Sequence, residues 1–438
     1  MSGESRTLAA GSRFVTAPVC GQRVLYASLV LLVGFALYAN LARVALGSRY
    51  VLLVADSLLM VLVLYTASLR LLAGQLPTAV EAAVLALLGL GAAAIMHPNI
   101  PDFRTGIEGF RQTLYQMSAV SVGVALLGTR RRMMHFLSIV AVLAVPILLW
   151  AVKQFIAISA LDLAIIGANT ADIYTWQIFG KVRAFGFFSG PFHMGLFAGF
   201  VFWIGAALYF ESRRRIWLVL AALSFLACLA TLTRGSLIAM CGSVPVVLFF
   251  VFPRARLRVA AATAVVLAGI GLGLYLLSSH VDAVGSVVES VLTLSELSDD
   301  SRLVGRFDGY REGIAAVATH PFGIGMGSAA DALGHYFDPY KYVHITSHNM
   351  FLRMALETGW MGLGLFMAIL WLALRAARRT ARMGDHPMAM LLMGWPAIVL
   401  ITGITGSSIN AFPVNLLFWL IVGGAVRLTA HSGPGATT

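Results

Sequence analysis

His348 stands at the entrance of an apolar segment, in the stretch SHNMFLRMALETGWMGLGLF that begins at Ser347. An imidazole ordinarily titrates close to neutral pH, so it can accept a proton from a hydroxyl group as that hydroxyl attacks a substrate. A single histidine at a helix entrance is more often a cap or an interfacial residue, and His344 lies four residues earlier as a possible substitute base. The chemistry open to His348 therefore depends on which groups the fold brings beside it.

Three arginines provide groups of a second kind. Arg234 lies in TLTRGSL, within a run that is otherwise apolar, where a guanidinium is costly unless it is paired, lines a wet cavity or snorkels to lipid head groups. Arg183 precedes Pro191 in KVRAFGFFSGP, and the alternative to a functional role is an ordinary solvated loop arginine. Arg306 lies in GRFDGYREG. Two or three guanidinium groups on one face suit a phosphate or a diphosphate, because each binds phosphate oxygens bidentately and stays charged.

The remaining polar features predict neither a metal nor a cofactor. Arg353 and Glu357 have the spacing of an ion pair within one helix. No Asp-x-Asp cluster accompanies the arginines, so a divalent metal bridging the phosphates is not required. The run GIGMG lacks the spacing of a dinucleotide-binding loop.

The composition is that of a polytopic membrane protein. Of the 438 residues, 59% are hydrophobic and only 11% are charged. The net charge of +12 comes largely from arginines in short clusters between apolar runs, a pattern that indicates membrane topology and anionic lipid head groups and argues against nucleic acid. Three cysteines predict neither a disulfide framework nor a thiolate metal site.

About twelve apolar runs have the length of a membrane-spanning helix. They lie at about 24–43, 50–69, 78–96, 113–128, 134–157, 192–210, 216–233, 235–252, 258–278, 348–374, 388–407 and 411–427. With the N-terminus inside, four arginine clusters fall in cytoplasmic connectors, at 130–132, 213–215, 254–258 and 375–382. The pair Arg43 and Arg49 falls in an outer connector. Both termini are therefore predicted to be cytoplasmic.

The same topology predicts the domain organisation and gathers the polar residues on one face. The segments are a cytoplasmic tail at 1–23, helices one to nine at 24–278, a large periplasmic loop at 279–347, helices ten to twelve at 348–427 and a cytoplasmic tail at 428–438. The large loop contains a helical pattern that stops at Pro321, followed by glycine-rich turns. The four residues singled out above lie on the outer face: Arg183, Arg234, Arg306 and His348.

The order of these motifs resembles the O-antigen ligase and polymerase superfamily. His348-Asn349, followed by Gly359-Trp360-Met361-Gly362, looks like the His-Asn/Ser…Gly-x-x-Gly signature of that superfamily. The arginine segments precede it in the same order, and the resemblance covers about residues 180–375. Two departures fall beside the arginines, with Phe192 in place of asparagine and Thr233 in place of serine.

The resemblance implies a GT-C-type glycosyltransferase of the bacterial inner membrane that acts on the periplasmic face. Its donor would be an undecaprenyl-diphosphate-linked glycan, and its reaction would be inverting and independent of metal. His348 would deprotonate the acceptor hydroxyl, and Arg183 and Arg234 would hold the donor diphosphate. Arg306 matches a recurrent loop arginine that we group with the donor-binding residues, and Asn349, Gly359 and Gly362 support the motif.

Several reactions remain open. A ligase passes the glycan to lipid A core, which the ungapped histidine signature favours, whereas a polymerase passes it to a second lipid-linked glycan. Transfer to a protein side chain is a third option. A secondary transporter or lipid-linked glycan flippase also has many helices, but it would place ionisable groups at the bilayer midplane, where Asp56 is the main one. A structural scaffold would not explain Arg234.

Overall fold

The computed structural model describes residues 19–48, 50–169, 176–178, 181–252 and 301–430, together with residues 258, 261 and 269. Within these ranges the protein is all-α, as predicted. The helices are α1 Val19–Leu37, α2 Ala39–Leu46, α3 Val51–Leu72, α4 Ala79–Ile95, α5 Phe103–Thr113, α6 Ala119–Leu126, α7 Arg130–Ile156, α8 Ala160–Ala168, α9 Pro191–Ser212, α10 Ile216–Ala230, α11 Arg234–Val251, α12 Ser301–Thr319, α13 Met350–Arg382, α14 His386–Thr405 and α15 Val414–Ala430. Short 3-10 helices at Tyr115–Ser118, Asp331–Tyr336 and Ser408–Asn410 and an antiparallel hairpin of Gln177–Ile178 with Lys181–Val182 complete the described elements.

Six of the described helices are long and apolar enough to cross a membrane: α3, α7, α9, α11, α13 and α14. The pair α1–α2, bent by 67°, could form a seventh span, and four further apolar helices are shorter. Every predicted run contains a helix apart from 258–278, which lies largely outside the described residues. The count of twelve spans therefore stays a prediction. Helix α5 was missed, because a search for apolar runs passes over a short polar helix.

Local sequence explains where several helices begin. Asp102 accepts a hydrogen bond from the Thr105 amide at the start of α5, at 2.8 Å. Asn349 caps α13, since its Oδ1 accepts from the amides of Phe351 and Leu352, both at 2.9 Å. Pro191 is the first residue of α9, where its missing N–H has no cost. The predicted helix before Pro321 is α12, and it ends at Thr319.

The core is packed around α9, α14 and α15. Phe200 stacks on Trp395 with ring centroids 4.2 Å apart, joining α9 to α14. Helices α6 and α15 approach so closely that a Cβ on Gly123 would overlap the backbone of Leu420. Small residues at such crossings allow close packing where no hydrophobic effect drives helices together in lipid.

Charged residues define one end of the bundle. Arg130 forms ion pairs with Glu211 at 2.5 Å and Asp385 at 2.6 Å, which brings the starts of α7 and α14 to the end of α9. Arg378 lies over the ring of Phe250, 4.5 Å from its centroid, which adds the ends of α11 and α13. The predicted clusters at 130–132, 213–215 and 375–382 thus share one end; Arg254 and Arg256 lie outside the described residues. Which side of the membrane this end faces stays a prediction from the arginines.

Candidate active site

Arg183 joins the first arginine motif to the second. Its Nε donates to the carbonyl of Thr231 at 3.0 Å, and its Nη2 donates to Thr233 Oγ1 at 2.7 Å. The amide of Ala184 donates to the carbonyl of Ala230 at 3.0 Å. Arg183 is therefore anchored to the segment directly before Arg234, fifty residues further along the chain.

A buried amide shapes the turn after Arg183. Gln154, which is 1% exposed, accepts from the amides of Phe185 at 3.0 Å and Gly186 at 2.8 Å, and it donates to the Gly186 carbonyl at 2.9 Å. It also donates to Asp162 in α8 at 2.8 Å. Nothing in the sequence marked Gln154 or Asp162 as part of this site, because both act through residues distant in the chain.

Asp162 is ionised although it is fully buried. Burial by itself would raise the pKa of this carboxyl, but hydrogen bonds from Lys153, Ser159 and Gln154 lower it to about 2. Lys153 Nζ lies 2.7 Å from Asp162 Oδ2. The carboxylate is thus a fixed acceptor that holds Gln154, and through it the turn that follows Arg183.

Arg234 is the first residue of α11 and is partly exposed. The segment that leads into Arg234 contains Leu232, whose φ of 48° is uncommon for a residue with a side chain. Such conformations persist where the surroundings enforce them. Here Thr231 is held by Arg183, and its Oγ1 accepts from the Thr233 amide at 3.2 Å.

The end of α14 lies between the arginine segment and the histidine segment. A Cβ on Gly235 would be 3.0 Å from Thr405 Oγ1. One residue earlier, the carbonyl of Ile404 accepts from Asn349 Nδ2 at 3.2 Å and from Tyr310 OH at 2.8 Å. Residues 404–405 therefore contact the neighbours of both Arg234 and His348.

His348 is exposed, and the cap of α13 is Asn349 rather than the histidine. The alternative base, His344, is engaged in contacts within the loop. Its Nε2 lies 3.0 Å from the Ala330 carbonyl oxygen, and its ring centroid is 4.9 Å from that of Phe337. Between the two candidates, the geometry favours His348 as the accessible imidazole.

Arg306 lies in α12, one turn before Tyr310, whose hydroxyl contacts the end of α14. The Arg306 side chain lies outside the described part of the structure, so its predicted donor contact stays a prediction.

The first signature glycine, Gly359, breaks α13. Gly359 has φ 73° and ψ −175°, which interrupts the helix, whereas the sequence predicted one continuous helix here. A Cβ at this position would lie 2.5 Å from the Pro321 carbonyl oxygen, and the amide of Trp360 donates to that oxygen at 3.0 Å. At Gly362 a Cβ would overlap the side chain of Thr358. The break lets the turn at 321–327 dock on α13.

Arg353 and Glu357 form the predicted pair, with Arg353 Nε 3.2 Å from Glu357 Oε1. Both side chains are buried, and Arg353 also donates to Thr113 Oγ1 at 2.8 Å. With the Asn410 amide turned so that its oxygen faces Arg353, that oxygen accepts from the guanidinium, and the amide nitrogen donates to the Gln112 carbonyl at 3.1 Å. The pair thus ties α13 to α5 and to the connector before α15.

Several buried polar atoms of the described residues lack a hydrogen-bond partner. Within the described residues, His193 Nδ1, Ser236 Oγ and Ser407 Oγ are buried and have no hydrogen-bond partner. Within the same part of the chain, no group of three His, Cys, Asp or Glu side chains could hold a metal ion.

Residues 219–367 match the family model described as O-antigen ligase. The match confirms the resemblance to the O-antigen ligase superfamily. It includes Arg234, Arg306, His348 and both signature glycines, whereas Arg183 lies before it. No curated protein matches the chain at a significant level. The family supports a glycan-ligating or glycan-polymerising function for this multi-pass membrane protein.

Proposed function

We propose that the chain is a membrane glycosyltransferase that passes a glycan from an undecaprenyl-diphosphate donor to a hydroxyl group of lipid A core. The observation that carries the proposal is the anchoring of Arg183 to residues 231–233, beside Arg234. Two guanidinium groups held on one short segment suit a diphosphate, and the start of α11 adds backbone N–H groups that favour an anion. The site would face the periplasm of a bacterial inner membrane, with both termini cytoplasmic.

His348 is the base in this proposal. The acceptor oxygen forms a bond to the anomeric carbon while its proton passes to a ring nitrogen of His348. The bond from that carbon to the diphosphate oxygen breaks, and its electron pair leaves with the lipid diphosphate. Attack opposite the leaving group inverts the anomeric centre, and the arginines, rather than a metal, offset the charge that develops.

The position of Asp56 argues against a coupled transporter. Asp56 lies in the second turn of α3 and is paired with Arg111 at 2.9 Å, near the end of the bundle that carries His348. A coupled-ion path would use ionisable groups near the bilayer midplane.

The test is reconstitution of the full chain in liposomes with a defined undecaprenyl-diphosphate glycan, without nucleotide or metal. We expect glycan on lipid A core when that acceptor is supplied. A ladder of lengthened donor, formed without lipid A core, would instead assign the polymerase reaction, and reorientation of the lipid without transfer would assign a flippase.

Two variants test the residue roles. His348→Ala and Arg234→Ala should each lose transfer by about a hundredfold or more, within the range that a general base or a charge-stabilising group contributes. Arg379→Ala, at the opposite end of the bundle, is the matched control for removing an arginine. Full transfer by folded His348→Ala protein would refute the proposed base.

A further inference from the structure

A cavity lined by both apolar and polar groups includes residues 187–189, shortly after Arg183, in its wall. It has a volume of about 120 Å³, room for several water molecules and therefore for more than a single ion. It lies where α1 bends into α2, and the starts of α3 and α15, the end of α5 and the turn after Arg183 surround it. The lining includes the side chains of Asn40, Asp56, Arg111, Gln116, Asn410 and Phe412.

One acceptor in this lining is buried and has no partner. Gln116 is 5% exposed, and its Nε2 donates to Asp56 Oδ1 at 2.9 Å. Its Oε1 has no hydrogen-bond partner among the described residues. A buried amide oxygen in this state is costly, so the cavity offers it to a ligand that can donate a hydrogen bond.

The one arginine in the lining is already neutralised. Arg111 Nη1 lies 2.9 Å from Asp56 Oδ2, and its Nη2 lies 2.6 Å from Glu108 Oε1. A guanidinium engaged by two carboxylates attracts a diphosphate only weakly. The cavity therefore favours an uncharged ligand rich in hydroxyl groups over the anion proposed for Arg183 and Arg234.

The lining combines amides, a carboxylate and aromatic rings. Carboxylate and amide oxygens accept hydrogen bonds from hydroxyl groups, and amide N–H groups donate to them. The partly exposed ring of Phe412 offers an apolar surface to the C–H face of a sugar ring. Phe187 and Phe188, four and five residues after Arg183, belong to the same lining.

We propose that this cavity binds one sugar residue of the transferred glycan or of the acceptor, with Gln116 Oε1 accepting from a sugar hydroxyl. The inference rests on the proposed function, since the saccharide that it places in the cavity is part of a substrate of the proposed transfer. The two sources share the same chemistry and are separated by kinetics.

The experiment uses the full chain in liposomes and compares Gln116→Leu and Asn40→Ala with wild type. Gln75→Leu, in the connector at the other end of α3, is the matched control. KM is measured for the donor at saturating acceptor and for the acceptor at saturating donor. Each cavity variant should raise one of these two KM values about tenfold, the effect of losing one hydrogen bond, with kcat within about twofold.

The substrate whose KM rises identifies the source of the sugar. Equilibrium binding to protein in nanodiscs gives a readout that does not need turnover. The donor probes are the lipid-linked glycan and undecaprenyl diphosphate without a glycan, and the acceptor probe is lipid A core. For a donor sugar, Gln116→Leu should weaken binding of the glycan-bearing lipid and leave the bare lipid diphosphate unchanged. For an acceptor sugar, it should weaken binding of lipid A core.

The inference is overturned if both folded cavity variants keep both KM values and all probe affinities within twofold of wild type. If wild type binds the probes but transfers no glycan, the proposed function fails separately, and the binding of the cavity variants still decides the saccharide site.

Discussion

Replacing Gly359 with alanine should release the turn at 321–327 from α13 and lower both stability and glycan transfer. Gly359 holds φ 73° and ψ −175°, a region in which residues with a Cβ are strained. The same turn leads into the segment that ends at His348, so its displacement reaches the proposed base.

The magnitude follows from the contacts at the break. The backbone conformation costs an alanine about 1–3 kcal/mol. Its Cβ would lie 2.5 Å from the Pro321 carbonyl oxygen, so the turn has to move. That movement loses the bonds from the Trp360 amide to Pro321, at 3.0 Å, and from the Ile324 amide to Leu356, at 2.6 Å. At about 1 kcal/mol for each bond, the total is about 3–5 kcal/mol.

Three measurements check this prediction in nanodiscs: thermal unfolding, the rate of proteolysis within 321–347, and glycan transfer. Gly364→Ala is the matched control, because this glycine lies in the same helix and a Cβ there would meet nothing within 4 Å. We expect the control to be neutral or slightly stabilising, since alanine favours helix by about 1 kcal/mol over glycine. Equal melting temperature, proteolysis and transfer in the two variants would show that the strain argument is wrong.

Three further predictions concern groups that hold the site. Arg183→Lys should lower kcat/KM for the donor by about tenfold or more with little change in melting temperature, because an ammonium cannot bind two diphosphate oxygens side by side as a guanidinium can. A donor titration that matches wild type would contradict this. Glu357→Gln should destabilise the protein by about 3–5 kcal/mol, because it leaves Arg353 buried without its counter-charge, and an unchanged melting temperature would refute it. The pKa of Asp162 is lowered from its ordinary value of about 4 to about 2. The contribution of this carboxylate to stability is therefore full above the ordinary pKa and is lost as the pH falls from that value to the lowered one. Asp162→Asn should remove this part of the acid dependence, measured as melting temperature between about pH 5 and 2; identical profiles would exclude the carboxylate from that role.

Features that depend on neighbours in the chain were predictable. The apolar runs, the stop at Pro321 and the Arg353–Glu357 pair follow from hydropathy, backbone restriction and helical spacing. Each has its counterpart among the described residues, apart from the run at 258–278, which lies largely outside them. The match to the O-antigen ligase family agrees with the motif order read from the sequence. The same local patterns missed α5, which has no apolar run, and the break at Gly359, which a glycine permits but does not require.

The sequence by itself determined the class of protein, most of its described helical segments and the residue types of the candidate site. Only the tertiary structure decided which of those residues are held together. Arg183 meets Thr233 across fifty residues, Asn349 meets Ile404 across 55, and Gln116 meets Asp56 across 60. No pattern in the sequence predicts such contacts, because they depend on how the helices pack against one another. The physical reason is that hydropathy and capping act within a turn or two of a helix, whereas a site built from several helix ends exists only once those ends share one face of the bundle.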